Sequence, residues 1–295
     1  MADTTTPLRE KLTLLMHGQF PTGIDKVGLP IYMYRQNRIF RNLGAGPFDH
    51  LVSAVSLDPA MLIWLDLSSN QRLSPNENFA RELMERLTMG VGNYSQRDVR
   101  EAARAFTGWG IAYPSGGFEF DTWAHDFGEK TFLGHRGNLD GEDIVRIVTH
   151  SDAAARCLPA RMWSFLAYPV SMGDSVVSDL ADVFRQHLNI TELLRAILLH
   201  PRFVSATSMQ GLLEQPIEWI AGILRAFHLH AKDFEKQYGS DYLQSVLTDF
   251  GQVPFNPPTV GGWGSNQYWL SSASCRVPRV LRSSTSPKRC FRSRT

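Results

Sequence analysis

Paired start and stop signals for helices recur along this chain and constrain its fold more than any other feature. Ser95, followed three residues later by Asp98, has the pattern of a capping box, in which each residue satisfies a free N–H of the other. Asp58 and Pro59 read as an N-cap followed by proline at the first helical position. Such signals predict helices over 8–20, 48–55, 60–65, 75–89, the segment after Ser95, 142–149, 152–166, 175–187, 191–199, 216–230 and 241–250.

The helix over 75–89 has the clearest pattern. Ser74 is the expected cap, Pro75 takes the first helical position, and Glu77 is placed to complete a capping box. Gly90 is expected to end the helix. Its apolar stripe consists of Phe79, Ala80, Leu83, Met84 and Leu87.

Between residues 109 and 141 the helical pattern is replaced by glycine, aromatic residues and turn formers. Within this excursion, 118–120 and 130–133 are predicted to be short strands. The fold class expected is therefore mainly α: a single helical globular domain with an irregular or short β-hairpin excursion near 110–135. Long excursions inside a compact domain are often functional.

One face of the helix over 75–89 carries a polar group of side chains. At about 100° per residue, Asn78, Glu82 and Glu85 fall within a narrow arc, with Arg81 beside them. Three oxygen-bearing side chains on one face could hold a hard cation such as Ca²⁺ or Mg²⁺. The alternative is an ordinary solvated face, stabilised by pairs four residues apart from Glu77 to Arg81 and from Arg81 to Glu85.

His125 and Asp126, inside the excursion, form a second candidate polar group. A histidine beside carboxylates suits transition-metal binding or general acid–base chemistry. The alternative is a hydrogen-bonded histidine and an aspartate that orders the loop. His17, on the expected polar side of the first helix, is the most suitable distant partner. The metal-ligand candidates are thus Glu82, Glu85, His125, Asp126 and His17.

A divalent metal is the one cofactor that these residues suggest. The sequence contains no phosphate-binding loop, nucleophile elbow or dinucleotide fingerprint. Loop tryptophans could stack on sugars or bases, but their large area favours packing in the core. That expectation applies to Trp109, Trp123, Trp263 and Trp269.

The charge of the chain is distributed unevenly. Residues 276–295 contain seven basic residues and no acid, so 1–275 has 23 basic against 29 acidic residues, a net charge of about −6. A mildly acidic body gives no electrostatic reason to expect nucleic acid as a partner. The abrupt change predicts a disordered basic tail over 275–295 that arises from a frameshift; the alternative is a genuine basic extension that binds nucleic acid or acidic surfaces.

No apolar run reaches the roughly 20 residues that span a bilayer, so no membrane span is expected. The polar start of the chain lacks a signal-peptide core, which predicts a soluble, cytoplasmic protein for the sequence as written. Cys157 lies in an apolar helical pattern and is expected to be a small buried residue.

Several motifs together resemble one bacterial family, the domain of unknown function 1800 (DUF1800). They are NENFARELME (76–85), GVGNY (90–94), ARAFTGW (103–109), PLREK (7–11) and KTFLG (130–134). The resemblance covers about residues 7–274, which sets the expected extent of the helical domain. Members are usually longer at the N-terminus and continue as a helix after 274, so the resemblance implies a missing early segment and an abnormal C-terminal end. Similar proteins are often exported, and the resemblance implies export here if an N-terminal segment is missing.

Three functions are expected from these observations. The first is a scaffold or binding protein that acts with a co-encoded partner; the resemblance implies a sulfatase-like protein, because similar proteins are often encoded beside one. The second is a metal-dependent hydrolase or related enzyme with a carboxylate and histidine site. The third is an inactive gene fragment. Convergence of Glu82, Glu85, His125 and Asp126 around one pocket would favour the enzyme.

Overall fold

The computed structural model describes residues 3–239 and 241–270, and the predicted basic tail over 275–295 lies outside them. The backbone divides into two compact units. The large unit comprises Thr6–Leu212 and Phe255–Trp263, and the small unit includes 3–5, 213–239, 241–254 and 264–270. In the described chain, no helix is long and apolar enough to cross a membrane.

Helices dominate the large unit, which confirms the predicted fold class. Most of the predicted helices begin and end within one or two residues of their expected bounds, because the caps that define them are local. The helices are α1 (Pro7–Gln19), α2 (Ile24–Val27), α3 (Pro30–Leu43), α4 (Phe48–Ser56), α5 (Pro59–Trp64), α6 (Asn78–Glu82), α7 (Gln96–Ala105), α8 (Gly141–Thr149), α9 (Asp152–Leu166), α10 (Ser175–His187), α11 (Ile190–Leu199) and α12 (Ala206–Met209).

The capping box before α7 is confirmed. Ser95 Oγ accepts the backbone N–H of Asp98, and the Asp98 carboxylate accepts the backbone N–H of Ser95. Asp140 and Asp143 form the same reciprocal pair before α8. Each box satisfies backbone N–H groups that the first helical turn leaves without a partner.

The expected start of the helix over 75–89 is wrong. Ser74 instead closes a short turn with Gln71, and α6 begins only at Asn78, where the Asn76 side chain accepts the backbone N–H. A long-range bond from the Asn76 backbone N–H to the Asn70 side chain holds this segment out of the helix. After Glu82 the helix widens into a π-helical segment, Leu83–Thr88.

Helix α3 was not among the predicted elements. It begins with Pro30 in its first turn, and its buried residues are Met33, Gln36 and Phe40. The stripe is narrow, and its middle position is a glutamine, which a hydrophobic pattern counts as polar. Gln36 is buried because its amide bonds with Asp58 of the α5 cap and with Thr22.

One continuous hydrophobic core fills the large unit. Cys157 is buried, as predicted. Aromatic residues supply much of the buried area, and several of their rings meet edge to face, such as Phe48 with Phe184 and Phe79 with Phe106. The largest fully buried aromatic side chains are Phe20, Phe40, Phe48, Phe79, Phe106, Phe132, Trp163 and Phe184.

The excursion forms two small antiparallel hairpins, so the strands predicted near 118–120 and 130–133 are confirmed. Strand β1 (Trp109–Ile111) pairs with β2 (Phe118–Phe120), and β3 (Lys130–Phe132) pairs with β4 (His135–Gly137). The N–H groups of Thr131 and Leu133 donate to Glu101 and Asp98 of α7, which fixes the second hairpin on that helix.

The small unit contains three further helices, shorter than the two predicted there. They are α13 (Pro216–Ala226), α14 (Ala231–Tyr238) and α15 (Tyr242–Asp249). Its buried side chains include Leu224, Val246 and Trp269. The burial of Trp269 agrees with the prediction that this tryptophan packs into a core.

Candidate functional site

The polar residues predicted on the α6 face contact structural partners. The Asn78 amide donates to the carbonyl oxygen of Leu65 at 3.2 Å and to Asp66 at 3.4 Å. Arg81 donates to Glu77 at 2.8 Å, so that ion pair is confirmed, and its other bond goes to Gln96 at 3.1 Å. These side chains therefore tie α6 to the preceding loop and to α7.

Glu85 does not pair with Arg81, because it lies in the π-helical segment, where the angular spacing assumed for an α-helix no longer holds. Its carboxylate accepts the hydroxyl of Tyr94 at 2.8 Å and lies 3.6 Å from Arg86 Nε. Burial, and then the hydrogen bond to Glu85, raise the pKa of Tyr94 to about 12.

Glu82 has the least satisfied carboxylate of this group. Its Oε2 atom is buried without a hydrogen-bond partner, and burial, reinforced by the charge of Glu85, raises its pKa above the ordinary value. Arg86 and Arg81 act in the opposite direction. Glu82 is thus the member of the predicted polar face with an unused oxygen.

His125 and Asp126 point to different partners. His125 is buried, its Nδ1–H donates to the carbonyl oxygen of Thr107 at 2.7 Å, and its ring lies edge to face with Phe120 and Phe127. The Asp126 carboxylate accepts Arg104 Nε at 2.7 Å. That hydrogen bond holds the pKa of Asp126 below its ordinary value.

His17 is held on α1 between two aromatic rings, with centroid distances of 4.8 Å to Phe40 and 5.0 Å to Phe255. Its Nε2 lies 3.1 Å from the side-chain oxygen of Asn37. Burial lowers the pKa of His17 to about 4, so the ring is neutral at pH 7.

The structure therefore brings Glu82 and Glu85 near each other, but it engages His125, Asp126 and His17 in separate contacts. Within residues 3–239 and 241–270, no group of three or more histidine, cysteine, aspartate or glutamate side chains is arranged to hold a metal ion. The convergence that would favour the enzyme is not formed among the described residues.

A polar cleft beside the first hairpin was not found from the sequence. It encloses about 200 Å³, far more than the roughly 10–15 Å³ that one water needs. The described residues that line it include no basic side chain. Its polar lining side chains are Ser68, Asn70, Gln71, Glu119 and Asp121, with Trp109 beside them. We call this site the acidic cleft.

The floor of the acidic cleft is fixed by Asn70, which is 1% exposed. Its amide donates to the carbonyl oxygen of Ala103 at 2.8 Å, and its backbone carbonyl accepts the N–H of Gly108 at 3.0 Å. Gly108 has a φ of +82°, and a Cβ there would lie 2.4 Å from the backbone oxygen of Asp121. Only glycine therefore allows β1 and β2 to approach this closely at the cleft.

The hairpin also carries aromatic side chains at its surface. Phe118 and Phe120 alternate with Glu119 along β2 and so share the face opposite to that carboxylate. The His125 ring contacts both Phe120 and Phe127, which makes the row continuous. Trp123, in the adjoining turn, is 83% exposed, so the expectation that this tryptophan packs in the core is wrong. We call Phe118, Phe120, Trp123 and Phe127 the aromatic patch.

The sequence did contain a signal for both features. The segment from Phe118 to Asp121 alternates aromatic and acidic residues, which on a strand separates them onto two faces. The second wall of the cleft, from Ser68 to Gln71, lies some 40 residues earlier in the chain and carries no such pattern.

Comparison with known proteins identifies the family. Nothing among curated proteins and nothing among solved structures matches this chain. The family described as Protein of unknown function (DUF1800) matches residues 1–281. Since the match covers nearly the whole chain, this protein belongs to the DUF1800 family.

Proposed function

We propose that this chain is a binding protein that acts with a protein partner, and that the partner docks on the aromatic patch. The observation that carries the proposal is the exposure of its aromatic rings: Phe127 is 56% and Trp123 83% exposed. Exposed aromatic clusters are unusual on surfaces that face only water, and such residues are enriched at the energetic centres of protein interfaces.

The patch is held rigidly, which favours binding because little order has to be gained when a partner docks. Lys130, which is 1% exposed, donates to the carbonyl oxygens of Asp126 at 2.5 Å and Gly128 at 3.1 Å. Arg104 joins Asp126 to Glu101 of α7. These contacts fix both ends of the loop that carries Phe127.

The partner that we propose is the co-encoded, sulfatase-like protein implied by the family resemblance. The contacts of the predicted polar residues support a binding role over catalysis, since Asp126, His125 and Glu85 each have a structural partner.

The test is the affinity of the purified chain for the product of the neighbouring gene, measured by calorimetry. Trp123→Ser and Phe127→Ser should each weaken binding by tenfold or more, about 1.4 kcal/mol. The matched control is Leu199→Ser, an equally exposed apolar residue on α11. The proposal is overturned if the parent chain does not bind, or if the patch variants and the control bind as the parent does.

A metal-dependent hydrolase is the second candidate, and Glu82 is the observation in its favour. Its buried, unpartnered oxygen and raised pKa are features that a missing cation would relieve. The test is the melting temperature with added Mg²⁺, Ca²⁺ or Zn²⁺. A metal-dependent rise in the parent that Glu82→Gln abolishes supports the enzyme, whereas no rise in the parent rejects it.

A further inference from the structure

We propose that the acidic cleft binds a guanidinium group, presented as an arginine side chain by the partner. This inference rests on the proposed function for the source of that side chain, but the cleft itself is a separate site from the aromatic patch. Glu119 lies on the face of β2 opposite to Phe118 and Phe120, so one strand serves both sites.

The first argument is charge. The other carboxylates of the excursion have basic partners: Asp126 pairs with Arg104 at 2.7 Å, and Glu129 pairs with Arg136 at 2.7 Å. Glu119 makes no side-chain hydrogen bond or ion pair within the described chain, and Asp121 accepts only backbone N–H groups there. A cleft lined by charges of one sign concentrates ligands of the opposite sign.

The second argument is the geometry of the acceptors. Glu119 and Asp121 are two residues apart on an extended backbone, so their Cβ atoms lie on one side and roughly 7 Å apart. The pairing of β1 and β2 extends to this point, because the Asp121 N–H donates to the carbonyl oxygen of Gly108 at 2.7 Å. Two carboxylates at this spacing can engage different edges of one planar cation.

The third argument distinguishes guanidinium from ammonium. The guanidinium group has five N–H donors in a fixed plane, whereas ammonium is a compact, strongly hydrated charge with three. The oxygens of Gln71 and Ser68 lie in the same cleft and add acceptors beyond those of the two carboxylates. Trp109 lines the wall, and guanidinium stacks on aromatic rings.

The cleft is formed before any ligand arrives. The Asp121 Oδ1 atom accepts the N–H of Trp123 at 2.8 Å and that of Ala124 at 3.4 Å, which orients the carboxylate. The Arg72 N–H donates to the carbonyl oxygen of Ala124 at 2.8 Å and ties the two walls together. A preformed acceptor set lowers the ordering cost of binding.

The experiment titrates the full chain with N-acetyl-arginine-methylamide and follows amide chemical shifts. The citrulline counterpart is the matched probe, since it keeps the shape and lacks the charge. We expect the arginine probe to bind with a Kd on the order of 1 mM, at least about tenfold more tightly than the citrulline probe. Binding should weaken as the salt concentration rises.

Glu119→Gln and Asp121→Asn keep shape and remove one charge each, and each should weaken arginine binding by about fivefold or more. The control is Glu129→Gln on the same excursion, which should bind as the parent does. Melting temperatures establish that every variant folds. Equal binding of the two probes, unchanged affinity in both cleft variants, or tighter binding of the matching lysine probe would each overturn the guanidinium assignment.

The two proposals fail separately. If the patch variants leave partner binding unchanged while arginine still binds in the cleft, the docking proposal fails and the cleft assignment stands. If the partner docks through the patch but Glu119→Gln leaves both arginine and partner binding unchanged, only the cleft assignment fails.

Discussion

The Asp58 side chain makes the stability of this protein depend on pH in a direction that is unusual for a carboxylate. Asp58 is the N-cap of α5 and is 3% exposed. Its Oδ2 atom accepts the Gln36 amide at 2.9 Å and the Met61 N–H at 3.4 Å, whereas Oδ1 is buried without a partner. Burial raises the pKa of Asp58 from 3.8 to about 7, against the lowering effect of its hydrogen bonds.

The sign follows from proton binding. Between the ordinary pKa of 3.8 and the folded pKa of about 7, the folded chain keeps a proton that the unfolded chain has released, so stability falls as the pH rises. Each pH unit in this window corresponds to about 1.4 kcal/mol. Burial of Asp58 should therefore lower the free energy of unfolding by about 4 kcal/mol between about pH 4 and pH 7.

Asp58→Asn has the shape of the protonated acid, caps a helix equally well and does not titrate. The variant should match the parent near pH 4 and exceed it by up to about 4 kcal/mol above pH 7. Urea unfolding across this pH range measures the difference. Asp25→Asn, at an exposed aspartate in α2, is the control and should follow the parent. A stability difference between Asp58→Asn and the parent that does not change with pH refutes the reasoning.

Three further substitutions test other parts of the description. Asp126→Asn should cost about 1–3 kcal/mol at pH 7 by removing the acceptor of Arg104; because the pKa of Asp126 is lowered by folding, this cost should fade in acid, and urea unfolding at both pH values checks it. Glu82→Gln should change the free energy of unfolding by less than about 1 kcal/mol, since one carboxylate oxygen has no partner to lose; a larger loss in urea unfolding would contradict this. Trp109→Ala should cost about 3–5 kcal/mol, whereas Trp123→Ala should leave the melting temperature unchanged, and equal losses in thermal unfolding would show that the assigned burial is wrong.

Local signals in the sequence determined most of the helices. The box formed by Ser95 and Asp98 depends on residues three apart and forms as predicted. The bounds of α9 and α10 coincide with those predicted, because α9 is capped by Ser151 and both helices carry continuous apolar stripes. The strand over 118–120 was likewise fixed by a local run of aromatic residues between turn formers.

Tertiary contacts decided the start of α6 and the fate of the candidate site. The bond between Asn76 and Asn70 moves the helix start to Asn78, and the π-helical segment then turns Glu85 toward Tyr94 rather than Arg81. Neither partner could be identified from spacing, since each depends on how separate segments pack.

The acidic cleft and the pKa of Asp58 show the same division. The sequence by itself determined that Glu119 and Asp121 share one side of a strand and that Asp58 caps a helix. Only the fold decided that Asn70 and Gln71 close the cleft from the other side and that Gln36 covers Asp58. The physical reason is that capping and strand alternation act over a few residues, whereas burial and charge pairing depend on segments that are distant along the chain.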